Sequence, residues 1–581
     1  MPGGETVTSS SVVTAAAVAA TAVGLLSASR LVRRWRRSRH LSALRSRLQA
    51  AYREAKTRFG EHINEEVRRQ QLTDSEKSEI LSLSTGELLS RLRAKSLDPA
   101  RVLLAYQARA YEVDRDLNCV IEFLQPDLAE VNLDGPLAGL PISIKESMAV
   151  KGKYSCFGLA AFAEKPLPTE DCSTVKILRA LGGVPFVRTS VPQTMMSVLS
   201  HNPIEGAVKH PTAENRSPGG SSSGEAALIA AGGSPLGLGS DIGGSIRLPA
   251  AWCGIAGFKP TSGRLSRQGQ RSVSVQKLVP ASWGPMGPDV ASLATFMKAF
   301  CNSELHDQID PGVPPLGFNE TIYVESRPLR IGFYLYDHQF QAVPSAERAV
   351  KETVDRLASR GHTMVPWDPP IRRLNLMETY LRAVTCDGAG ILDDALNGDR
   401  VSYAVKLGLH AIQVPWPGRW VRQRWCRLTG DSETEEWLRS SVPMPNVLSM
   451  WYFNQEVTSL REEFTHRWRE DKLDAIICPA LGCPAVDLEP KSPFNGCLSY
   501  LVLYNLFNFP AGSVPVTRVT ASDVAAMSNY PAGRSVSHAT VARMQAGSEG
   551  LPVSVQCAAL PWRDEACLSL MREVEAAWRD K

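Results

Sequence analysis

Residues Arg216 to Arg247 read RSPGGSSSGEAALIAAGGSPLGLGSDIGGSIR. Glycine and serine crowd this stretch, but apolar residues interrupt it too regularly for a flexible linker. Backbone of this composition can pass close to a small molecule and turn its N–H groups inward, because glycine has no Cβ and tolerates positive φ. A loop that binds a developing oxyanion needs that geometry. Two commoner motifs fit poorly. Gly220-Ser221-Ser222-Ser223-Gly224 matches G-x-S-x-G, the elbow of a histidine-assisted serine, but a Ser/Gly-rich tract yields that match by composition alone and no HGGG-type motif accompanies it. Gly237-Leu238-Gly239 opens like a dinucleotide loop, yet the third glycine falls at Gly243, and no G-x-x-x-x-G-K phosphate loop occurs there.

Outward from this centre the chain alternates between strand-like and helix-like stretches. Leu140 to Ile144 and Val184 to Val187 are short apolar runs of the kind that form buried strands. Leu329 to Leu335 is strand-like, Ser345 can cap a helix with apolar positions Ala346, Val350, Val354, Leu357 and Ala358, Gly361 can end it, and His362 to Trp367 resumes an extended run. That order predicts an α/β fold. No internal repeat is visible.

Before the body, residues 7–29 carry no charge and reach the ~20 residues a bilayer core requires, so a transmembrane helix is expected there. Arg30, Arg33, Arg34, Arg36, Arg37 and Arg39 follow, and only Glu5 precedes, which places the rest of the chain on the cytoplasmic side. A cleaved signal peptide would carry its basic residues before the apolar run; a surface-lying or buried helix is the other alternative to a span. Residues 41–95 read as a solvated helical lead-in.

The 581 residues are 44% hydrophobic and 21% charged, with a net charge of +4, which is ordinary globular composition and leaves no footprint for nucleic acid. The twelve cysteines include no CxxC pair or zinc-finger spacing, and free thiols in a reducing compartment are expected. Nothing in the sequence calls for a metal or cofactor.

The run from Ser221 to Thr261 resembles the signature of the amidase signature family. Similarity continues in LAGLPISIKES around Lys145, VPFVRTSVPQTM ending at Met195, YLVLYNLFNFPAGSVPV, and GLPVSVQCAALPW near the end, and covers most of the chain after about residue 85. Overall likeness is to the membrane-bound branch that hydrolyses fatty acid amides. The resemblance implies a large twisted mixed β-sheet covered on both faces by helices, a catalytic domain over 96–575 after a basic lead-in at 30–95, a homodimer, and residence in the endoplasmic reticulum or another endomembrane. It also implies lipid amide substrates such as N-acylethanolamines and oleamide, cleaved to fatty acid and amine.

By the same resemblance Lys145 is the base, Ser221 the bridging hydroxyl and Ser245 the nucleophile. An amide is resonance-stabilised and its amine leaves poorly, so one relay must both activate the nucleophile and protonate the departing nitrogen. Lys145 must be neutral to serve, whereas an exposed lysine titrates near ~10.4; the apolar run before it suggests a desolvating strand end. Ile242, Gly243, Gly244 and Ser245 are the expected oxyanion donors, with Met195 and Ser222 contacting substrate or relay, and Met196, Leu498 and Val502 as acyl-channel candidates. Asp241 and Arg247 read as loop scaffolding, and no histidine is given a role.

Residues 410–428 mix Val414, Trp416, Trp420, Val421, Trp425 and Leu428 with Arg419, Arg422, Arg424 and Arg427, which suits a membrane-binding cap, although Pro415 and Pro417 interrupt it and a solvated basic helix has the same composition. Residues 529–548 are richer in Ser, Ala and Gly than the family's more aromatic helix. A general amidase, a glutamine-hydrolysing amidotransferase subunit, and a membrane-tethered pseudoenzyme that only binds lipid are the competing readings.

Overall fold

The computed structural model describes residues 9–409, 416–429 and 431–579. Its strands are β1 (Val120–Phe123), β2 (Pro141–Lys145), β3 (Val184–Thr189), β4 (His201–Asn202), β5 (Gly206–Ala207), β6 (Gly237–Asp241) and β7 (Ala256–Lys259). They continue with β8 (Ser282–Gly287), β9 (Arg330–Phe333), β10 (Thr363–Pro366), β11 (Ala475–Pro479), β12 (Ala511–Arg518) and β13 (Pro552–Ala558). Eleven of these form one sheet in the order β1-β3-β2-β6-β8-β7-β12-β13-β11-β9-β10, and β4 pairs with β5 separately. β2 lies parallel to both β3 and β6, and β9 parallel to both β10 and β11, while the other pairings are antiparallel. The expected α/β class with a mixed sheet is therefore present.

Helices cover both faces, as the strand alternation shows. Ser513 pairs with Gln556, whose side chain accepts a 2.7 Å hydrogen bond from Arg247 on the helix Arg247–Cys253. Its neighbour Gly512 points the opposite way, where a Cβ would strike Met571 on the helix Asp564–Arg579. Burial on both sides explains why β2, β3 and β13 are buried along their whole length, without polar alternation.

The expected βαβ unit is present as β9, the helix Pro344–Ser359 and β10. Ser345 does not cap that helix. Val343 holds the cap position and Pro344 opens the first turn, where its fixed φ and missing N–H are tolerated. Gly361 follows the helix with φ of +91°, the left-handed turn expected of it.

The amino-terminal expectation needs correction. Residues 9–29 do not form a separate span before a distinct lead-in: Ser9–Arg69 is one helix, α1, because that stretch contains no proline and little glycine to break it. Among the described residues no helix is long and apolar enough to cross a membrane; residues 7 and 8 lie outside them. The lead-in is also less solvated than its composition suggests. Phe59 stacks on Phe123 at 4.1 Å, Lys56 pairs with Asp114 at 2.8 Å, and Ile63, Ile80, Leu88 and Leu92 enter the core. Apolar positions spaced to one helix face outweigh the intervening charges.

Candidate active site

β2 and β6 run parallel and side by side, so their carboxyl ends open at the same edge of the sheet, where ligands of α/β sheets gather. Lys145 ends β2, and Ser240 and Asp241 end β6. Ser221 and Ser222 immediately precede the helix Ser223–Ala230, and Ser245 sits in the turn between β6 and the helix Arg247–Cys253. This packing requires glycine at 237, because a Cβ there would lie 2.1 Å from the Glu225 carboxylate and 2.5 Å from the Ser143 hydroxyl.

The Lys145 side chain is fully buried, with its Nζ 2.8 Å from Ser221 Oγ, 3.1 Å from Ser222 Oγ and 2.9 Å from Ser240 Oγ. Among the described residues no acidic side chain pairs with it. Burial lowers its pKa to about 7, against the weaker opposing influence of Asp241, Glu225 and Glu146. Glu225 does not supply a full negative charge, since burial pushes its carboxyl up to about 8 even though Ser143 and Thr189 donate to it at 2.6 and 2.8 Å. The expected neutral amine has a physical basis in this desolvation. Glu146 faces away from the site and accepts the Cys156 and Phe157 N–H groups.

Asp241 organises the turn that carries Ser245. Its carboxylate accepts the N–H groups of Gly244 at 2.8 Å and Ile246 at 3.1 Å, the Arg247 guanidinium at 3.1 Å, and the Asn505 amide at 2.8 Å. Burial alone would raise its pKa, but Arg247, with Lys259 and Asn505, holds it well below the usual carboxylate range. Gly244 has φ of +107°, and a Cβ there would meet Leu501 at 2.6 Å, so only glycine suits the turn.

Because the Gly244 N–H is committed to Asp241, it is unavailable as the oxyanion donor expected of it. Among the described residues the N–H groups of Ile242, Gly243 and Ser245 bond to no protein acceptor, and these three residues line a cavity of about 150 Å³. Met195, Met196, Leu498 and Val502 line the same cavity, bringing the substrate and channel candidates together. Met195 follows Thr194 in a left-handed turn, with φ of +58° and +65°.

Ser222 does not line this cavity; its hydroxyl accepts from Lys145 Nζ at 3.1 Å and from the Ser240 N–H at 3.4 Å, and its own N–H donates to the Ser245 carbonyl at 3.2 Å. That bond holds the two serine-bearing segments together, although no hydrogen bond joins the Ser221 and Ser245 hydroxyls. No histidine bonds to Ser221, Ser222 or Ser245 among the described residues, which removes the basis for a G-x-S-x-G elbow. Sequence reasoning missed Ser240, Glu225 and Asn505. An acid inside the apolar helix sequence SGEAALIA was the one signal pointing to Glu225.

A charged vestibule of about 950 Å³ abuts this cavity and shares Met377, Leu381, Trp437 and Asn495 with its wall. Residues 534–538, from the segment read as divergent, line it. Of the expected cap, residues 410–415 lie outside the described residues, and Trp416–Thr429 is a helix with Pro417 in its first turn, a position that tolerates proline. Trp420, Val421, Trp425 and Leu428 are exposed on it.

The Amidase family model matches residues 101–568. The chain is 40% identical over 520 residues to "Fatty-acid amide hydrolase 1" of Sus scrofa, covering 87% of this chain and 88% of that one. It is 36% identical over 448 residues to "Fatty acid amide hydrolase 1" of Caenorhabditis elegans, covering 76% and 77%. A solved "Fatty acid amide hydrolase" superposes with a TM-score of 0.77 at 26% identity, over 92% of this chain and 95% of that one. With these relatives and this shared fold, the chain belongs to the amidase signature family and is an amide-hydrolysing enzyme.

Proposed function

We propose that the enzyme hydrolyses fatty acid amides, N-acylethanolamines and primary amides such as oleamide, to fatty acid and amine by a Ser245 acyl-enzyme. One observation carries the chemistry: a buried amine, brought to about 7 by desolvation, stands 2.8 Å from the Ser221 hydroxyl. Ser245 Oγ attacks the amide carbonyl as its proton passes to Ser221 and the Ser221 proton passes to neutral Lys145. The new C–O bond leaves charge on the carbonyl oxygen, which the free N–H groups of Ile242, Gly243 and Ser245 are disposed to bind, each worth about 10²–10³ in rate. Collapse breaks the C–N bond, and the proton returns from Lys145 through Ser221 to the leaving nitrogen. Water then repeats the relay on the ester and releases the acid. Rotation of Ser221 or Ser245 must complete the missing hydroxyl–hydroxyl bond.

The names of the relatives in pig and nematode support the lipid amide substrate, as does the apolar lining of the Ser245 cavity. The catalytic domain works on the cytoplasmic side of an endomembrane, which Trp420, Trp425 and Leu428, with Arg424 stacked over Trp420 at 5.0 Å, touch from the exposed face of their helix. The working unit is a homodimer. Incubation of the membrane-bound enzyme with oleamide and with glutamine tests the reading: oleamide turnover, lost in Ser245→Ala and blocked by a fluorophosphonate on Ser245, is expected. Turnover of glutamine alone, or turnover that survives Ser245→Ala, refutes it.

A further inference from the structure

Gly243 stands in the middle of the turn that carries Ser245, and a side chain from a distant part of the chain is pressed against it. A Cβ on residue 243 would lie 2.2 Å from the Tyr380 hydroxyl oxygen and 2.8 Å from the ring carbon that bears it, so this approach needs glycine. Leu501 closes on the adjoining Gly244 in the same manner. Tyr380 belongs to the helix Leu376–Val384, which Asn375 caps through the Glu378 N–H, and Leu501 belongs to the helix Ser499–Leu506 packed beside it. Two packed helices thus hold the turn, and the phenol is placed by a rigid element instead of a loop.

Tyr380 also lines the Ser245 cavity, together with Ile242, Gly243 and Ser245, whose N–H groups bond to no protein acceptor. Among the described residues the Tyr380 hydroxyl has no hydrogen-bond partner either. A phenylalanine would fill the same space without desolvating a hydroxyl, and an idle donor in a cavity costs free energy unless a ligand takes it up. Desolvation and the Asp241 carboxylate outweigh the Arg247 guanidinium and hold the phenol well above its ordinary range, so its proton stays on oxygen at any working pH. The side chain is therefore a fixed, protonated donor beside three free backbone donors.

We infer that Tyr380 is a further catalytic residue, whose phenol O–H donates a hydrogen bond to the carbonyl oxygen of the bound amide, a bond that strengthens as that oxygen gains charge. This rests on the Ser245 acyl-enzyme reading and adds a side chain to its backbone donors. When Ser245 Oγ bonds to the carbonyl carbon, the C=O π pair moves onto oxygen. The phenol keeps its own proton throughout, so the relay through Ser221 and Lys145 is unchanged. Water attack on the ester places negative charge on the same oxygen, and Tyr380 serves that step as well.

The test is Tyr380→Phe in the full-length enzyme, which keeps the ring against Gly243 and removes only an unpaired hydroxyl, so its Tm should match that of wild type. With oleamide, kcat and kcat/KM are expected to fall together by about 10–10²-fold, the worth of one hydrogen bond to a charged acceptor, while KM holds. Affinity for oleoyl trifluoromethyl ketone, which adds to Ser245 and leaves an oxyanion in the same place, falls by a similar factor; affinity for oleyl alcohol, which has no carbonyl, does not change. Both affinities are read well below the Tm of each protein, so their ratio decides even for a variant of lower stability. The ratio of wild-type to variant kcat/KM stays constant across neutral pH, because the phenol does not titrate there. A variant as active as wild type, a loss confined to KM, a ketone that binds both proteins equally, or a ratio that drifts with pH overturns the inference. If wild type neither turns over oleamide nor takes up the ketone at Ser245, the acyl-enzyme reading falls and the inference with it; an active wild type matched by its variant removes Tyr380 alone.

Discussion

Replacing Lys145 by Met keeps a similar volume but removes the titrating amine, and the structure sets the size of the effect. In the fold Lys145 titrates at about 7. In the unfolded chain it titrates near ~10.4. Between these values the unfolded chain binds the proton that the folded chain rejects, so stability rises with pH across that window. At pH 6 nearly the whole penalty is present, about 4–5 kcal/mol at ~1.36 kcal/mol per pH unit; at pH 9 about 2 kcal/mol remains. The variant loses the hydrogen bonds to Ser221, Ser222 and Ser240 at both pH values, so that loss cancels in the difference. Lys259, buried and also at about 7, is present in both proteins and cancels too. Stability of Lys145→Met relative to wild type should thus be higher at pH 6 than at pH 9 by about 3 kcal/mol. For 581 residues the entropy of unfolding is ~1.2 kcal/mol/K, which converts this to a change of about 2 °C in the Tm difference. Scanning calorimetry in matched buffers reads it directly. Tm–pH curves that run parallel for the two proteins would show that Lys145 is not held uncharged by burial, and the catalytic argument would fall with it.

In wild type, kcat/KM should rise about tenfold per pH unit below about 7 and level above it as Lys145 loses its proton, while Lys145→Ala drops activity at pH 7 by about 10²–10⁴ and lacks that limb; a stopped rate series over pH 5–9 measures both. Asp241→Asn leaves Arg247 buried without its counter-charge, and thermal unfolding should report a loss of about 3–5 kcal/mol together with loss of fluorophosphonate labelling at Ser245. Gly244→Ala, forced against Leu501 at a positive φ, should cut kcat with a Tm fall of a few degrees, read by unfolding and turnover on one preparation. Trp420→Ala/Trp425→Ala should weaken sedimentation with anionic vesicles without altering turnover of a short water-soluble amide.

Local order is what the chain expresses most directly. The Ser/Gly run, the apolar approach to Lys145 and the turn at Gly361 each depend on neighbours a few residues away, so the α/β class and the strands β2, β3 and β9 were legible before any coordinates, while the grouping of Lys145 with Ser221 and Ser245 came from the family resemblance. Ser240 and Glu225 were not, because their importance comes from the parallel register of β6 beside β2 and from helix packing on that pair, contacts between residues far apart in the chain. Only the folded turn reveals that Asp241 takes the Gly244 N–H and leaves three other amides for an oxyanion. Composition likewise misjudged residues 41–95, whose charges flank a face that tertiary packing buries. The sizes of the cavity and vestibule belong to the assembled fold alone: volume and desolvation are properties of what surrounds a side chain, and sequence spacing does not carry them.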